Sequence, residues 1–207
     1  MASLKFFYSS MNAGKTLDLI RTYFNFVKTD ENNNVITDNV ICLTSAKDNR
    51  FGHGVISSRP LDTTLEAYAI QEDTKLYEFI QDIVKERKCK VDLILVDESQ
   101  FFTEKQINDL ASIVDYNNID VTCYGLRTNF KGELFKGSKQ LLAISDKIRE
   151  IKNRCFCGEK ATMNLLFNEN KVPLKDGNEV QIGAEGKYIS LCRKHFIESH
   201  KNKKLAN

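Results

Sequence analysis

The sequence carries almost no excess charge of either sign: 30 Lys and Arg against 28 Asp and Glu leave a formal +2 over 207 residues. It therefore lacks a strong basic field, and nothing in its bulk charge demands a nucleic acid partner. It also lacks any apolar run near the ~20 residues needed to cross a bilayer, so no membrane association is expected. The opening MASLKFFYSS has neither a long apolar core nor a small-residue cleavage site, which argues against a secretory signal. Internal repeats and low-complexity segments are absent. A cytoplasmic location is the default reading, and there the six cysteines are expected to be reduced. Cys42, Cys89 and Cys123 lie singly in or near apolar segments and read as core or near-core thiols. The length suits one substantial domain plus a small appendage.

Strand-like and helix-like segments alternate over the first 150 positions. LKFFY (4–8), NVICLT (39–44), VDLILV (91–96) and DVTCYGL (120–126) read as buried strands. Unbroken apolar runs of this kind suit strands covered on both faces, as in parallel sheets. Leu17, Ile20, Phe24 and Val27 recur at helical spacing, and residues 74–88 and 138–145 read as further helices. TEKQ (103–106) is a capping-box pattern opening another. TDENNN (29–34) reads as a polar loop, and residues 45–64 as a long, mobile connection. The pattern predicts an α/β domain over 1–150 with a mostly parallel sheet flanked by helices. From about 151 the chain changes to loops and paired cysteines. Residues 151–200 read as a small separate unit and 201–207 as a basic, disordered tail.

Residues 6–16, FFYSSMNAGKT, join a strand to a helix through a near match to G-x-x-x-x-G-K-[ST]. The eight loop residues are Ser9, Ser10, Met11, Asn12, Ala13, Gly14, Lys15 and Thr16. Backbone N–H groups at a helix start face phosphates, and the helix dipole favours negative charge there. Gly14 lets the backbone approach closely. Lys15 would reach the β- and γ-phosphates of ATP, and Thr16 would offer its hydroxyl to Mg²⁺. Ser9 stands where the first glycine belongs. A serine serves if that turn does not require a glycine-only conformation.

Two further groups of residues carry chemistry. LILVDESQFF (93–102) ends a strand in Asp97 and Glu98. In phosphate-loop enzymes an aspartate so placed helps hold Mg²⁺. Glu98, fanned into the same crevice, could orient a water or an alcohol. Its modest basicity matters little when the phosphoryl group passes through a loose transition state. Farther on, Cys155 and Cys157 form C-x-C, and Cys192 and His195 form C-x-x-H. Four such ligands suit a closed tetrahedral structural Zn²⁺ pinning both ends of the 158–191 segment. His200 reads as solvated in the basic tail, and His53 as a loop residue.

FYSSMNAGKT, RFGHGVISSR, LVDESQFF, CYGLRTNFKGELF, CFCGEKA, VQIGAEGKY and CRKHF occur in this order over about residues 3–197. Together they resemble the thymidine kinase family of the bacterial and cytosolic type, close to its enterobacterial branch. The resemblance implies a RecA-like phosphate-loop fold with a zinc-held lasso loop. It implies transfer of the ATP γ-phosphate to the 5′-hydroxyl of thymidine, with thymidine triphosphate as feedback inhibitor and a homotetrameric assembly. It makes Ser9 a family variant of the loop. By the same resemblance Glu98 is the catalytic base and Asp97 the Mg²⁺-associated acid. Ser99 and Gln100 lie beside the phosphates, and Arg59 near the transferred phosphate. The nucleoside pocket would comprise Phe101, Leu126, Phe130, Phe135 and Met163, the lasso residues Glu179, Val180, Gln181, Ile182 and Gly183, and Tyr188. Met163 stands where some relatives carry threonine. Cys155, Cys157, Cys192 and His195 match the zinc ligands.

Two other readings use the same motifs. One is a phosphate-loop ATPase coupled to nucleic acid, against which the near-neutral charge argues. The other is a zinc-ribbon binding module with a vestigial nucleotide loop, against which the intact Lys15, Thr16, Asp97 and Glu98 argue.

Overall fold

The computed structural model describes residues 1–31, 35–37, 39–48, 52–58, 63–175 and 187–205. In chain order the elements begin with β1 (Leu4–Ser9), α1 (Lys15–Phe26), β2 (Lys28–Thr29), β3 (Val35–Thr37) and β4 (Val40–Ser45). Next come β5 (Val55–Ser58), β6 (Thr63–Glu66), β7 (Tyr68–Ile70), α2 (Leu76–Glu86) and β8 (Leu93–Val96). A 3₁₀ turn at Ser99–Phe101 precedes α3 (Glu104–Asn117), β9 (Asp120–Leu126), α4 (Lys136–Ile144) and β10 (Lys147–Glu150). β11 (Met163–Leu166), β12 (Tyr188–Leu191) and α5 (Arg193–Asn202) close the chain.

Six strands form one sheet in the order β10-β1-β9-β8-β4-β7, and every pairing within it is parallel. The apolar runs are explained by burial on both faces. Ile41, Leu43, Ile94 and Val96 point into a cluster closed by α2, α3 and α4 residues such as Ile80, Ile107 and Leu141. The alternate residues Val40, Cys42, Leu93 and Leu95 point the other way, onto Leu19 and Ile20 of α1. This is the expected α/β architecture. The Thr103 capping box forms as read from TEKQ: Thr103 Oγ1 accepts from the Gln106 N–H, and Gln106 Oε1 accepts from the Thr103 N–H.

The segment 45–64 differs from the expectation of a long loose connection. Val55–Ser58 pairs antiparallel with Thr63–Glu66. Ile56 and Leu65 of this ribbon are buried in the cluster beneath α1. Alternation within two very short strands supplied that apolar face, too little for periodicity to detect. In the polar stretch 29–34, Thr29 ends β2, which pairs antiparallel with β3, and residues 32–34 lie outside the described residues.

A third, smaller cluster lies apart in sequence. Cys155, Ala161, Leu165, Leu191, Cys192 and Phe196 are buried together, with Met163, Ile189 and Leu205 against them. β11 and β12 pair antiparallel over this cluster. The basic tail is helical as far as Asn202. His200 is half-buried, with its ring edge on Phe196, and is not the solvated residue expected. Burial, with help from the Lys175 charge, pushes its pKa below the usual histidine range.

Candidate active site and metal centre

β1 ends at Ser9, and the chain turns through Ser10–Ala13 into α1. Ser9 is not among the residues with positive φ, so the turn out of this strand needs no glycine. Its buried hydroxyl donates to the Ile151 carbonyl at 2.5 Å, which offsets the burial of a polar group. The left-handed positions are Asn12 (φ 58°) and Gly14 (φ 82°). Asparagine tolerates that region, and glycine adopts it without a Cβ penalty. Gly14 is the N-cap of α1 and makes no side-chain cap, so the start of the helix is open to an anion. Lys15 is buried, and its Nζ donates to the Ser10 carbonyl at 3.0 Å across the loop.

β8 ends beside this loop, separated from β1 by β9. Thr16 Oγ1 donates to Asp97 Oδ2 at 3.2 Å, across 81 residues of sequence. Asp97 is buried. Burial, and next the neighbouring Glu98 charge, raise its pKa to about 7 against the pull of the Glu98 N–H, Lys15 and Thr16. Lysine, threonine and a carboxylate that resists ionisation thus meet at one point. A divalent cation supplies the positive charge such a carboxylate lacks.

Glu98 follows in the left-handed region (φ 50°, ψ 35°). A residue with a Cβ pays about 1 kcal/mol or more to stay there. The surroundings hold it. Its N–H donates to Asp97 Oδ1 at 3.0 Å, and its carboxylate accepts from Gln100 Nε2. Gln100 is buried and fixed in turn, its Oε1 accepting from the Leu126 N–H at 2.9 Å. Ser99 Oγ donates to the Tyr124 carbonyl at 2.9 Å. α4 packs so close that a Cβ on Gly137 would lie 2.5 Å from the Ser99 carbonyl oxygen. The 3₁₀ turn is clamped from below, and Glu98 projects from a rigid base.

Phe101 meets Phe135 edge to face at 5.7 Å. Leu126 is half-exposed at the end of β9, Phe135 is buried, and Phe130 is almost fully buried. Phe101 lies in the turn after Glu98, Leu126 ends β9, and Phe130 and Phe135 follow it in the chain. Met163 is placed differently. It packs with Leu165 against the third cluster and lies near Gly132, while its neighbour Asn164 takes the opposite face of β11 toward the loop. Tyr188 is half-buried at the start of β12. Arg59 and Glu179–Gly183 lie outside the described residues.

The four C-terminal ligand candidates come together. One donor atom from each of Cys155, Cys157, Cys192 and His195 lies within 4.8 Å of all the others. Cys155 and Cys192 Sγ are 3.4 and 3.3 Å from His195 Nδ1, and Cys157 Sγ is 4.0 Å from Cys192 Sγ. A tetrahedral Zn²⁺ with arms of ~2.3 Å to sulfur and ~2.1 Å to nitrogen requires edges of roughly 3.5–3.8 Å. The donors fit such an ion. Burial alone would raise the Cys155 thiol, but the N–H groups of Cys157 and Cys192 and the His195 ring outweigh it and bring it to about 6. Cys157 accepts from the Glu159 N–H, yet burial and the sulfurs of Cys155 and Cys192 raise its pKa on balance. Sulfurs so crowded cannot all ionise without a cation among them.

Sequence reasoning missed Asn153, Asn164 and Ser190, which hold the loop from below. Met11 N–H donates to Asn164 Oδ1 at 2.8 Å. The Met11 carbonyl accepts from Asn153 Nδ2 at 2.9 Å and from Ser190 Oγ at 2.8 Å. Single polar residues more than 140 positions away leave no local signal.

Two outcomes follow from this geometry. Chelation is expected to open the 158–191 segment to protease while the sheet stays protected; an unchanged cleavage pattern, read by mass spectrometry, would contradict a structural metal. Asp97 generates the second. Its folded pKa of about 7 exceeds the ordinary 3.8, so its contribution to stability is complete below about pH 4 and is lost as pH rises through 7. The nucleotide-free melting temperature should therefore fall between pH 5 and 8 more steeply in the parent than in Asp97→Asn. Parallel curves would contradict the assignment.

A family model described as thymidine kinase matches residues 2–196. A thymidine kinase of Zymomonas mobilis subsp. mobilis is 46% identical over 198 residues, covering 96% of this chain and 97% of its own. One from Haemophilus influenzae is 41% identical, with 96% and 97% covered. One from Vibrio parahaemolyticus is 41% identical over 201 residues, with 96% and 98% covered. The chain belongs to the thymidine kinase family.

Proposed function

We propose that the protein transfers the γ-phosphoryl group of ATP to the 5′-hydroxyl of thymidine, giving thymidine monophosphate. The observation that carries this reading is the hydrogen bond from Thr16 to Asp97, which joins the lysine-bearing loop to the acidic strand end. Residues 9–16 cradle the phosphates, and Lys15 reaches the β- and γ-oxygens. Thr16 and Asp97 would hold Mg²⁺, which would supply positive charge to neutralise the phosphates. Ser99 and Gln100 keep the acidic turn in place, and Arg59 steadies the transferred phosphate.

Glu98 accepts and aims the 5′-hydroxyl. A hydroxyl losing its proton late needs an oriented acceptor more than a strong base, and the clamped left-handed backbone supplies the orientation. The nucleoside rests against Phe101, Leu126, Phe130 and Phe135. It is closed over by residues 179–183 and by Tyr188, which starts the strand paired with β11. Closure keeps water from the γ-phosphate. Met163, partly buried on β11, stands near the 5-methyl group of the base, where some relatives carry threonine.

The fold we read as a RecA-like phosphate-loop domain over 1–150, a zinc-held unit with its lasso over 151–200, and a basic tail over 201–207. The separate buried cluster around Cys155 and Cys192 supports that division. Zinc held by Cys155, Cys157, Cys192 and His195 would pin the ends of the 158–191 segment. A homotetramer in the cytoplasm, inhibited by thymidine triphosphate at the same lasso, completes the proposal. Among the described residues no helix is long and apolar enough to cross a membrane.

Purified protein with ATP and Mg²⁺, offered each natural nucleoside in turn, tests the reading. Thymidine should be phosphorylated and should stimulate ADP release. Stimulation by nucleic acid instead would favour a motor. Glu98→Gln should bind ATP normally and lose about 10²–10⁴-fold in turnover, the usual range for a positioned acid–base group. Near-normal turnover would remove Glu98 from this role.

A further inference from the structure

The β11–β12 hairpin has two working faces. Met163, Leu165, Ile189 and Leu191 lie on one, against the cluster that contains Cys155 and Cys192. Asn164 and Ser190 are direct cross-strand partners on the other, and both reach Met11 of the loop. Asn164 is 2% exposed. Its Oδ1 accepts from the Met11 N–H, and its Nδ2 donates to the Thr128 carbonyl at 3.2 Å. Asn153 joins from the segment before Cys155, donating to Ser10 Oγ at 3.0 Å as well as to the Met11 carbonyl. Both backbone groups of Met11 are therefore engaged by side chains from beyond residue 150.

Met11 immediately precedes the left-handed Asn12, and the left-handed Gly14 follows after Ala13. The direction of the N–H groups that follow depends on how the peptide entering that turn is held. We infer that Asn164, together with Ser190 and Asn153, is a positioning residue that sets the phosphate-binding loop from the metal-held hairpin. The inference rests on the phosphate-loop reading of residues 9–16. Its physical content is that nucleotide affinity is set partly by side chains that touch neither nucleotide nor metal. Asn164 supplies an acceptor and a donor at once, and both are buried. An apolar residue of the same size would leave the Met11 N–H and the Thr128 carbonyl without partners.

The test uses the metal-loaded full chain and a non-hydrolysable ATP analogue with Mg²⁺, bound by calorimetry. Ser190→Ala, which removes one hydrogen bond, should weaken analogue binding about 5–10-fold, and Asn164→Leu, which removes two, at least as much. Ser190→Thr, which keeps the hydroxyl, should restore it. Zinc content and the KM for thymidine should stay within about twofold of the parent, because a positioning effect on the loop leaves both untouched. Analogue affinity unchanged in both variants would overturn the inference. So would a parallel loss of zinc and of thymidine affinity, which marks general structural support. If Asn164→Leu does not fold, the comparison of Ser190→Ala with Ser190→Thr decides alone. A parent that binds the analogue yet phosphorylates no nucleoside would defeat the functional reading instead, leaving the hairpin to be judged by analogue binding and zinc content. A parent that does not bind the analogue would overturn both.

Discussion

A threonine hydroxyl donating to a buried aspartate is the contact on which the rest of the site depends. Asp97 is kept from ionising readily by its burial and by Glu98, yet Lys15 and Thr16 are turned toward it. Such an arrangement is poorly satisfied by protein alone, and the Mg²⁺ and triphosphate proposed here would relieve it. The parallel sheet makes the meeting possible. In parallel strands the carboxyl ends share one edge, so residues after β1, β8 and β9 converge although far apart in sequence.

Around that contact the molecule is built for stiffness. The 3₁₀ turn after Glu98 is tied to β9 through Ser99 and Gln100, and the close approach of Gly137 presses it from beneath. The strained Glu98 backbone persists because its neighbours over-determine it. In the role proposed for it, aiming an alcohol, the Glu98 carboxylate would gain from such fixing. The loop on the other side is held at Met11 by a hairpin whose far face packs on the cluster around Cys155 and Cys192.

Much of this was legible in the sequence, for identifiable reasons. Strands buried on both faces give unbroken apolar runs, and 39–44, 91–96 and 120–126 all lie in the sheet. The Thr103 capping box is local chemistry and forms where its pattern stands. Cysteine and histidine at short spacings reported a cluster because metal ligands tend to come in close pairs. Ser9 needs no glycine because that demand is conformational, and Ser9 itself stays out of the left-handed region. The remainder was hidden by distance or brevity. The β5–β6 ribbon has two short strands and few apolar residues. Met163 and Asn164 are adjacent, but strand alternation sends them to opposite faces. A tail that looks solvated by composition carries His200 against Phe196, because α5 continues into it.

The central claim is geometric: one triphosphate lies along residues 9–16 with the nucleoside hydroxyl in line beside Glu98. A crystal structure with a bisubstrate analogue, thymidine and adenosine joined through their 5′-oxygens by a phosphate chain, measures it directly. The account requires the phosphates against Gly14, Lys15 and Thr16, and the thymidine 5′-oxygen within about 2.6–3.2 Å of the Glu98 carboxylate. Phosphates bound away from that loop, or a thymidine oxygen remote from Glu98, would contradict it.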